Sequence, residues 1–332
     1  MNVKELIRTI NHTLKSHNLF PENSRILVAC SGGPDSMALL YLLQDIATHR
    51  HTTYKIGVAI VDHCIRPESK EEILWLQHQV EELGLPFYSA TFDVPRLSKE
   101  YKKSEETIGR QVRYQWLNEI AQSEGYDYIS VAHHKDDQAE SILAHIIRGS
   151  GLNGLTGMSV VQSEYAIPVV RPLLDVTKEN LLAYIGTKHI SYCVDSTNED
   201  VRYQRNRIRH RIIPELEAIN PAVVDAIVRL GSSVNEDVMV ISDLTSRTFD
   251  KLVSIGKDEV RISRRALRQE PLAIQRRLWQ RLVSIIDPEL MLTSAHQEQL
   301  LDIVNTGEKK TFTIKSIKVI AQCDTIKVYC KH

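Results

Sequence analysis

The chain of 332 residues is long enough for two domains, and 42% hydrophobic with 25% charged residues marks a globular protein rather than a disordered or fibrous one. No apolar run approaches the length of a bilayer span, and the opening MNVKELIRTINHTLKSH reads as a mixed-charge helix unlike a secretory signal. Five scattered cysteines (Cys30, Cys64, Cys193, Cys323, Cys330), with no CxxC, argue against a zinc ribbon or disulfide framework and for reduced thiols in a cytoplasm.

In chain order, RILVAC (Arg25 to Cys30) reads as a short buried strand and DSMALLYLLQDIA as a helix. KIGVAIVDH is a second strand, followed by the helix ESKEEILWLQHQVEELG. PFYSATFDV is a third strand, Ser104 to Glu124 a helix, YDYISVAHH a fourth strand and DDQAESILAHIIRG a helix. Strand–helix alternation with apolar strands implies a doubly wound parallel sheet covered on both faces, with ligands beyond the carboxyl ends of the strands. After Pro214 the pattern turns helical over a long span, then ends in KTFTIKSIKVIAQCDTIKVYC, two alternating runs expected to form a small hairpin or meander. The expected division is residues 1–215 as a nucleotide-binding catalytic domain and 216–332 as a mainly helical domain, with the boundary near Glu215.

A net charge of −1 is uninformative, but its distribution is not. VRYQRNRIRHRII (Val201 to Ile213) holds five arginines and no acid; RISRRALRQEPLAIQRRLWQR (Arg261 to Arg281) holds seven with a single acid, Glu270. One such stretch is ordinarily a solvated helix face. Two, both built from Arg rather than Lys, point toward phosphate, whose oxygens the guanidinium fork matches.

VACSGGPDSMALL (Val28 to Leu40) carries the chemistry. A strand, a Gly-Gly turn and a helix start form a ready anion seat: unpaired N–H groups point outward, and glycine lets a phosphate come close. Ser31 and Ser36 add hydroxyls beside Gly32, Gly33 and Pro34. The loop lacks the lysine of a Walker A and the spacing of GxGxxG. Asp35 stands where a carboxylate would repel phosphate unless a cation or a moving proton lies between; helix capping is the alternative.

SGGPDS resembles the SGGxDS signature of the PP-loop ATP pyrophosphatases, which split ATP between its α and β phosphates and adenylylate a carbonyl oxygen. Further stretches resemble one branch, the tRNA(Ile)-lysidine synthetases. VDHCIRPES (Val61 to Ser69) departs from that branch's pattern at Cys64 and Ile65, and EETIGRQVRYQWL keeps Arg-x-x-Arg-Tyr at Arg110, Arg113 and Tyr114 with Ile108-Gly109 for the usual alanines. AHHKDDQAES (Ala132 to Ser141), RGSGLNGLTGM, RPLL, DSTN and RNRIRHRIIP follow in the family's order as far as Pro214, and PLAIQRRLWQRL is a weaker match beyond it. The resemblance implies a short form lacking the further C-terminal domain of many relatives.

Residue by residue, it implies an ATP site at Ser31, Gly32, Gly33, Pro34, Asp35, Ser36 and Asp62, with Asp35 holding Mg2+ through the phosphates. Asp35, Arg110, Arg113 and His133 are the expected catalytic groups; one of the two arginines would neutralise charge at the α-phosphate, although a surface ion pair would equally explain either. Asp137 and Glu140, three apart on one helix face, are expected to hold the ammonium of free lysine, against the alternative of first-turn acids serving the helix dipole. His133 and His134 lack a third ligand at metal spacing, so contact with phosphate or orientation of the nucleophile is favoured over zinc. Arg148, Gly149 and Gly151 open a glycine-rich segment expected to act as a lid, a plain linker being the alternative. Arg205, Asn206, Arg207, Arg209, Arg276 and Arg277 are the expected tRNA contacts.

The implied partners are an isoleucine tRNA with a CAU anticodon and free lysine, with a homodimer and no membrane. Two rivals are a PP-loop tRNA thiolation enzyme, which would need a suitable cysteine pair (Cys30 and Cys64 being the nearest by strand order), and a non-catalytic RNA-binding protein, against which the intact Ser31-to-Ser36 set speaks.

Overall fold

The computed structural model describes residues 2–65, 68–193, 204–257, 259–288, 290–306 and 309–330. Arg66, Arg202 and the DSTN segment lie outside the described residues. The chain divides into two compact units, Met1–Ser232 and Ser233–His332. The division falls further along the chain than the composition change near Glu215, inside the long helix Val223–Leu252.

The first unit holds strands β1 (Arg25–Ala29), β2 (Lys55–Asp62), β3 (Phe87–Thr91), β4 (Tyr128–Ser130), β5 (Val161–Gln162) and β6 (Val169–Val170) in the order β3-β2-β1-β4-β6-β5. All pairings are parallel except β5 with β6. Its helices are α1 (Val3–Ser16), α2 (Pro34–His49), α3 (Ser69–Glu82), α4 (Val94–Tyr101), α5 (Glu105–Ser123), α6 (Lys135–Ile147), α7 (Leu152–Leu155), α8 (Lys178–Lys188), α9 (Gln204–Arg207) and α10 (Ile213–Ile219), with the start of α11 (Val223–Leu252). A π-helical turn, Ile208–Ile212, joins α9 to α10. The two-residue period of β1 builds both faces: Ile26 and Val28 pack with α1, α2 and α8, while Leu27 packs with Tyr114, Leu117 and Ala121 of α5. Sheet and helices on both sides match the doubly wound expectation. The strand order reverses between β1 and β4, and the crevice beyond their carboxyl ends is where such folds bind ligands.

The second unit continues α11 and adds β7 (Val253–Ile255), β8 (Val260–Ser263), α12 (Arg264–Gln269), α13 (Leu272–Ile286), α14 (Ser294–Asn305), β9 (Lys310–Ile314), β10 (Ile317–Gln322) and β11 (Thr325–Cys330). The terminal meander is present, and β8 and β7 extend it into a five-stranded antiparallel sheet, β7-β8-β11-β10-β9. Leu278, Trp279 and Leu282 of α13 and Leu300 and Val304 of α14 pack on Ile317, Val319, Ile326 and Val328 of that sheet. Among the described residues no helix is long and apolar enough to cross a membrane.

Candidate active site

The turn after β1 has the geometry its residue types require. Gly32 takes a φ of +79°, a left-handed conformation that costs glycine little, and Gly33 caps α2 ahead of Pro34. Oγ of Ser36 folds back to donate to the Gly33 carbonyl at 2.9 Å and lies 3.3 Å from Oγ of Ser31, so both hydroxyls face the turn. Cys30 is buried beneath them, its Sγ 3.4 Å from Oγ of Ser36. Burial pushes the Cys30 thiol up, away from reactivity.

Asp35, in the first turn of α2, is the acid of the turn. Its Oδ2 accepts from Nζ of Lys178 at 2.6 Å and lies 3.7 Å from Nε2 of His134, while its Oδ1 is buried with no hydrogen-bond partner. Burial would raise this carboxyl, but His134 and Lys178 outweigh it and hold Asp35 below the usual carboxylate range. Among the described residues no group of three or more His, Cys, Asp or Glu side chains gathers at metal-binding geometry.

His134 joins this acid to the next ones. Its Nε2 is also 3.4 Å from Oδ2 of Asp137, and its Nδ1 is 3.3 Å from Oδ2 of Asp136. Burial would lower the imidazole, yet Asp136, Asp35 and Asp137 raise it to about 9, so it is a cation at neutral pH. His133, its neighbour, behaves in the opposite way. Burial dominates, Asp137 opposes it, and nearby arginines help to bring it down to about 3, leaving a neutral ring whose Nδ1 has no partner. Adjacent histidines thus carry different charges because three acids outweigh burial at one, while at the other burial, helped by nearby arginines, outweighs a single acid.

Asp137 and Glu140 converge as their spacing predicts, and both are buried, 7% and 1% exposed. Asp137 caps α6 by accepting the His134 N–H at Oδ2, leaving Oδ1 to accept from Arg205 at 2.8 Å and Arg209 at 3.0 Å. Glu140 accepts from Nε of Arg205 at 2.8 Å and Nε of Arg209 at 2.6 Å. Helix α9 carries Arg205 and the π turn after it carries Arg209, and together they present the two guanidiniums on this pair. Arg205 and Arg209, expected at the tRNA, are thus seated on the carboxylates expected for lysine. Asn206 is half-buried beside them, and Arg207 is exposed.

The remaining predicted residues are distributed around this centre. Asp62 ends β2 buried, its Oδ1 accepting from the Cys64 N–H and from Oγ of Ser69, so its carboxylate shapes its own loop. Arg110 and Arg113 both lie over the Tyr114 ring, at 4.8 and 5.2 Å. A cavity of about 400 Å³ opens beside the carboxylates, lined among others by Arg110, His133, Glu140, Arg148, Arg171 and Arg205. The glycine-rich segment starts at Arg148, with Gly149 and Gly151 exposed, and is pinned at its far end where Gln138 exchanges two hydrogen bonds with the Met158 backbone.

In the second unit Arg276 pairs with Glu298, and Arg277 donates to the Ala273 carbonyl of its own helix. Lys178 belongs to no motif in the sequence. The signal for it is a cation at the first position of a helix, where the dipole disfavours positive charge.

Residues 3–216 match the family described as PP-loop domain. The chain belongs to this PP-loop family. Among curated proteins it is 33% identical over 258 residues to a tRNA(Ile)-lysidine synthase of Porphyromonas gingivalis, covering 77% of this chain and 55% of that one. It is 29% identical over 327 residues to the tRNA(Ile)-lysidine synthase of Caldanaerobacter subterraneus, covering 98% of this chain and 68% of the relative. Against the first of these PP-loop relatives the chain spans little more than half their length. A solved U34-tRNA thiolase from Methanococcus maripaludis shares the fold, with a TM-score of 0.60 at 19% identity over 70% of this chain and 80% of that chain.

Proposed function

We infer that this PP-loop protein ligates lysine to the 2-carbon of the wobble cytidine in an isoleucine tRNA with a CAU anticodon, using ATP. The observation that carries the reading is the bridge made by His134: one cationic imidazole lies 3.7 Å from the acid of the phosphate-type turn and 3.4 Å from the buried carboxylate pair. A nucleotide seated on the turn and an amine that takes the place of Arg205 or Arg209 on the carboxylates would therefore meet in one crevice.

The cytidine 2-oxygen attacks the α-phosphorus of ATP; the bond from that phosphorus to the bridging oxygen breaks, and pyrophosphate leaves. The ε-nitrogen of lysine then attacks carbon 2, whose bond to the adenylylated oxygen breaks, releasing AMP and one proton. Ser31, Ser36 and the N–H groups at the start of α2 cradle the departing pyrophosphate. Asp35 would hold Mg2+ together with the phosphates, where the ion would offset their negative charge, and Lys178 adds a positive charge beside it. Neutral His133, lining the cavity with its Nδ1 unpartnered, orients the amine, and the proton the amine must lose before it attacks passes to solvent, since a ring brought down to about 3 is too weak a base to take it. Arg110 faces the same cavity and opposes the negative charge that grows at phosphorus, while Arg148 with Gly149 and Gly151 closes over it. The anticodon loop suits such a site because its bases are single-stranded and inexpensive to splay out. Arg207, Arg276 and Arg277 offer the phosphate contacts. Cytoplasmic location, and a homodimer as the working form, belong to the same reading.

Nucleoside mass analysis of tRNA incubated with the protein, ATP and isotope-labelled lysine tests this. A lysine-bearing cytidine is expected, with AMP and pyrophosphate formed in equal amounts. A thiolated base, or no modified base at all, would refute it.

A further inference from the structure

Arg171 opens the Arg-Pro-Leu-Leu segment directly after β6, and the reaction above leaves it without a task. Its side chain is among the most enclosed cations of the chain, 2% exposed. One terminal nitrogen donates to the Ser159 carbonyl at 2.9 Å and the other to Oε1 of Gln162 at 2.6 Å. Nε is buried with no hydrogen-bond partner. Among the described residues no carboxylate stands within ion-pair distance of it, although Glu106 and Glu164 line the same cavity. A buried guanidinium held only by neutral acceptors is unusual, since burial without a counter-charge is costly.

The cavity wall explains what could settle that charge. Arg171, Arg110 and Arg148 lie on it, and Glu140 of the buried carboxylate pair lies on it too. Glu106 and Glu164 line it as well, and Glu140 shares its oxygens with Arg205 and Arg209, so one small space brings carboxylates and guanidiniums together, the pattern that fits a zwitterion. A phosphodiester would carry the same oxyanion chemistry, but it brings no ammonium for the carboxylates of the same wall, whereas a free amino acid brings both charges.

We propose that Arg171 binds the α-carboxylate of the amino-acid substrate whose ammonium is drawn to Asp137 and Glu140. The proposal rests on the lysine reading above. Arg171 acts there as a specificity-determining residue: it selects an amino acid over a plain amine by leaving a buried donor unsatisfied when the carboxylate is missing.

The test compares lysine with 1,5-diaminopentane, which is lysine without its carboxylate, in the full chain with ATP and a CAU-anticodon tRNA transcript. Direct binding of each amine by calorimetry runs alongside the kinetics. Wild type is expected to prefer lysine by at least about 100-fold in kcat/KM. Arg171→Gln is expected to lose roughly that factor on lysine, chiefly through KM, and to leave the diamine unchanged, so that the preference disappears in both assays. Arg171→Lys restores part of it.

A parallel fall on both amines would mean a purely structural role and overturn the proposal. So would a raised KM for tRNA with lysine unaffected, which would place an RNA phosphate at Arg171. Should Arg171→Gln fail to fold, the wild-type comparison still decides, because equal use of the two amines contradicts the assignment. If wild type releases pyrophosphate with tRNA but incorporates and binds neither amine, the lysine reading itself has failed, and this outcome is distinct from the others.

Discussion

The two arginine-rich stretches look alike as text and end in unlike places. In the first, Arg205 and Arg209 meet two buried carboxylates and neutralise them. In the second, Arg264 is 2% exposed and donates to the backbone carbonyls of Ile303, Val304 and Cys323, while Arg268 joins it at Val304. Those carbonyls belong to the last turn of α14 and the bend before β11, and helix ends need such donors. Arginine density therefore marks a surplus of acceptors, and only the structure says whether they are substrate-binding acids, helix termini or RNA. The comparison also alters what a mutation at Arg205 or Arg209 would mean: it acts on the carboxylate pair before it acts on any tRNA.

Four measurements would break or sharpen this contrast. The largest effect is expected from Arg209→Glu, which sets a third acid against Asp137 and Glu140. It should lower unfolding free energy by roughly 3 kcal/mol or more, read by urea melts, with lysine use lost as well. If stability and the lysine KM stay as in wild type while tRNA affinity falls, the first cluster is an RNA surface after all.

Next, Arg264→Met should cost about 2–3 kcal/mol by orphaning buried carbonyls, with no change in turnover per folded molecule. A variant that is stable but inactive would move the second cluster into the chemistry.

The third concerns pH. His134 is raised from 6.5 to about 9 by the acids around it, so the stability it contributes is complete below pH 6.5 and disappears as pH climbs through about 9. His133, brought down to about 3, contributes in the other direction: its part is present above pH 6.5 and fades as pH falls toward 3. His134→Asn should flatten the alkaline limb of a stability–pH profile and spare the acid limb; an unchanged alkaline limb would remove His134 as the bridge.

The smallest effect is expected at Arg276→Ala. Its pairing with Glu298 is exposed and worth at most about 0.5 kcal/mol, while a lost phosphate contact would lower the salt slope of tRNA binding by roughly 0.9. An unchanged slope would take Arg276 out of the interface.

Legibility in the sequence followed range. The turn from Ser31 to Ser36 could be read because glycine, proline and serine specify it locally. The strands β1 to β4 could be read because their apolar runs are long enough to show a period. The two-residue strands β5 and β6 are too short to carry one, and β8 hides inside the arginine-rich tract, where Arg261 occupies a solvent-facing strand position. Asp137 and Glu140 were visible as a pair on one helix face, but their partners lie 65 to 72 residues away and were read as something else. Lys178 reaches Asp35 across 143 residues, a distance over which no spacing rule operates. Electrostatic partners were thus the hidden part, since charge complementarity is set by the sheet order rather than by neighbours in sequence.

The account stands on the turn's acid and the carboxylate pair serving successive steps in one crevice. Following pyrophosphate and AMP separately in Asp35→Asn and Glu140→Gln, with tRNA and ATP present and lysine added second, tests this most directly. Asp35→Asn should stop pyrophosphate release, whereas Glu140→Gln, folded and binding ATP, should release pyrophosphate normally and fail to release AMP when lysine arrives. Normal lysine-dependent AMP release by Glu140→Gln, or full pyrophosphate release by Asp35→Asn, would contradict it.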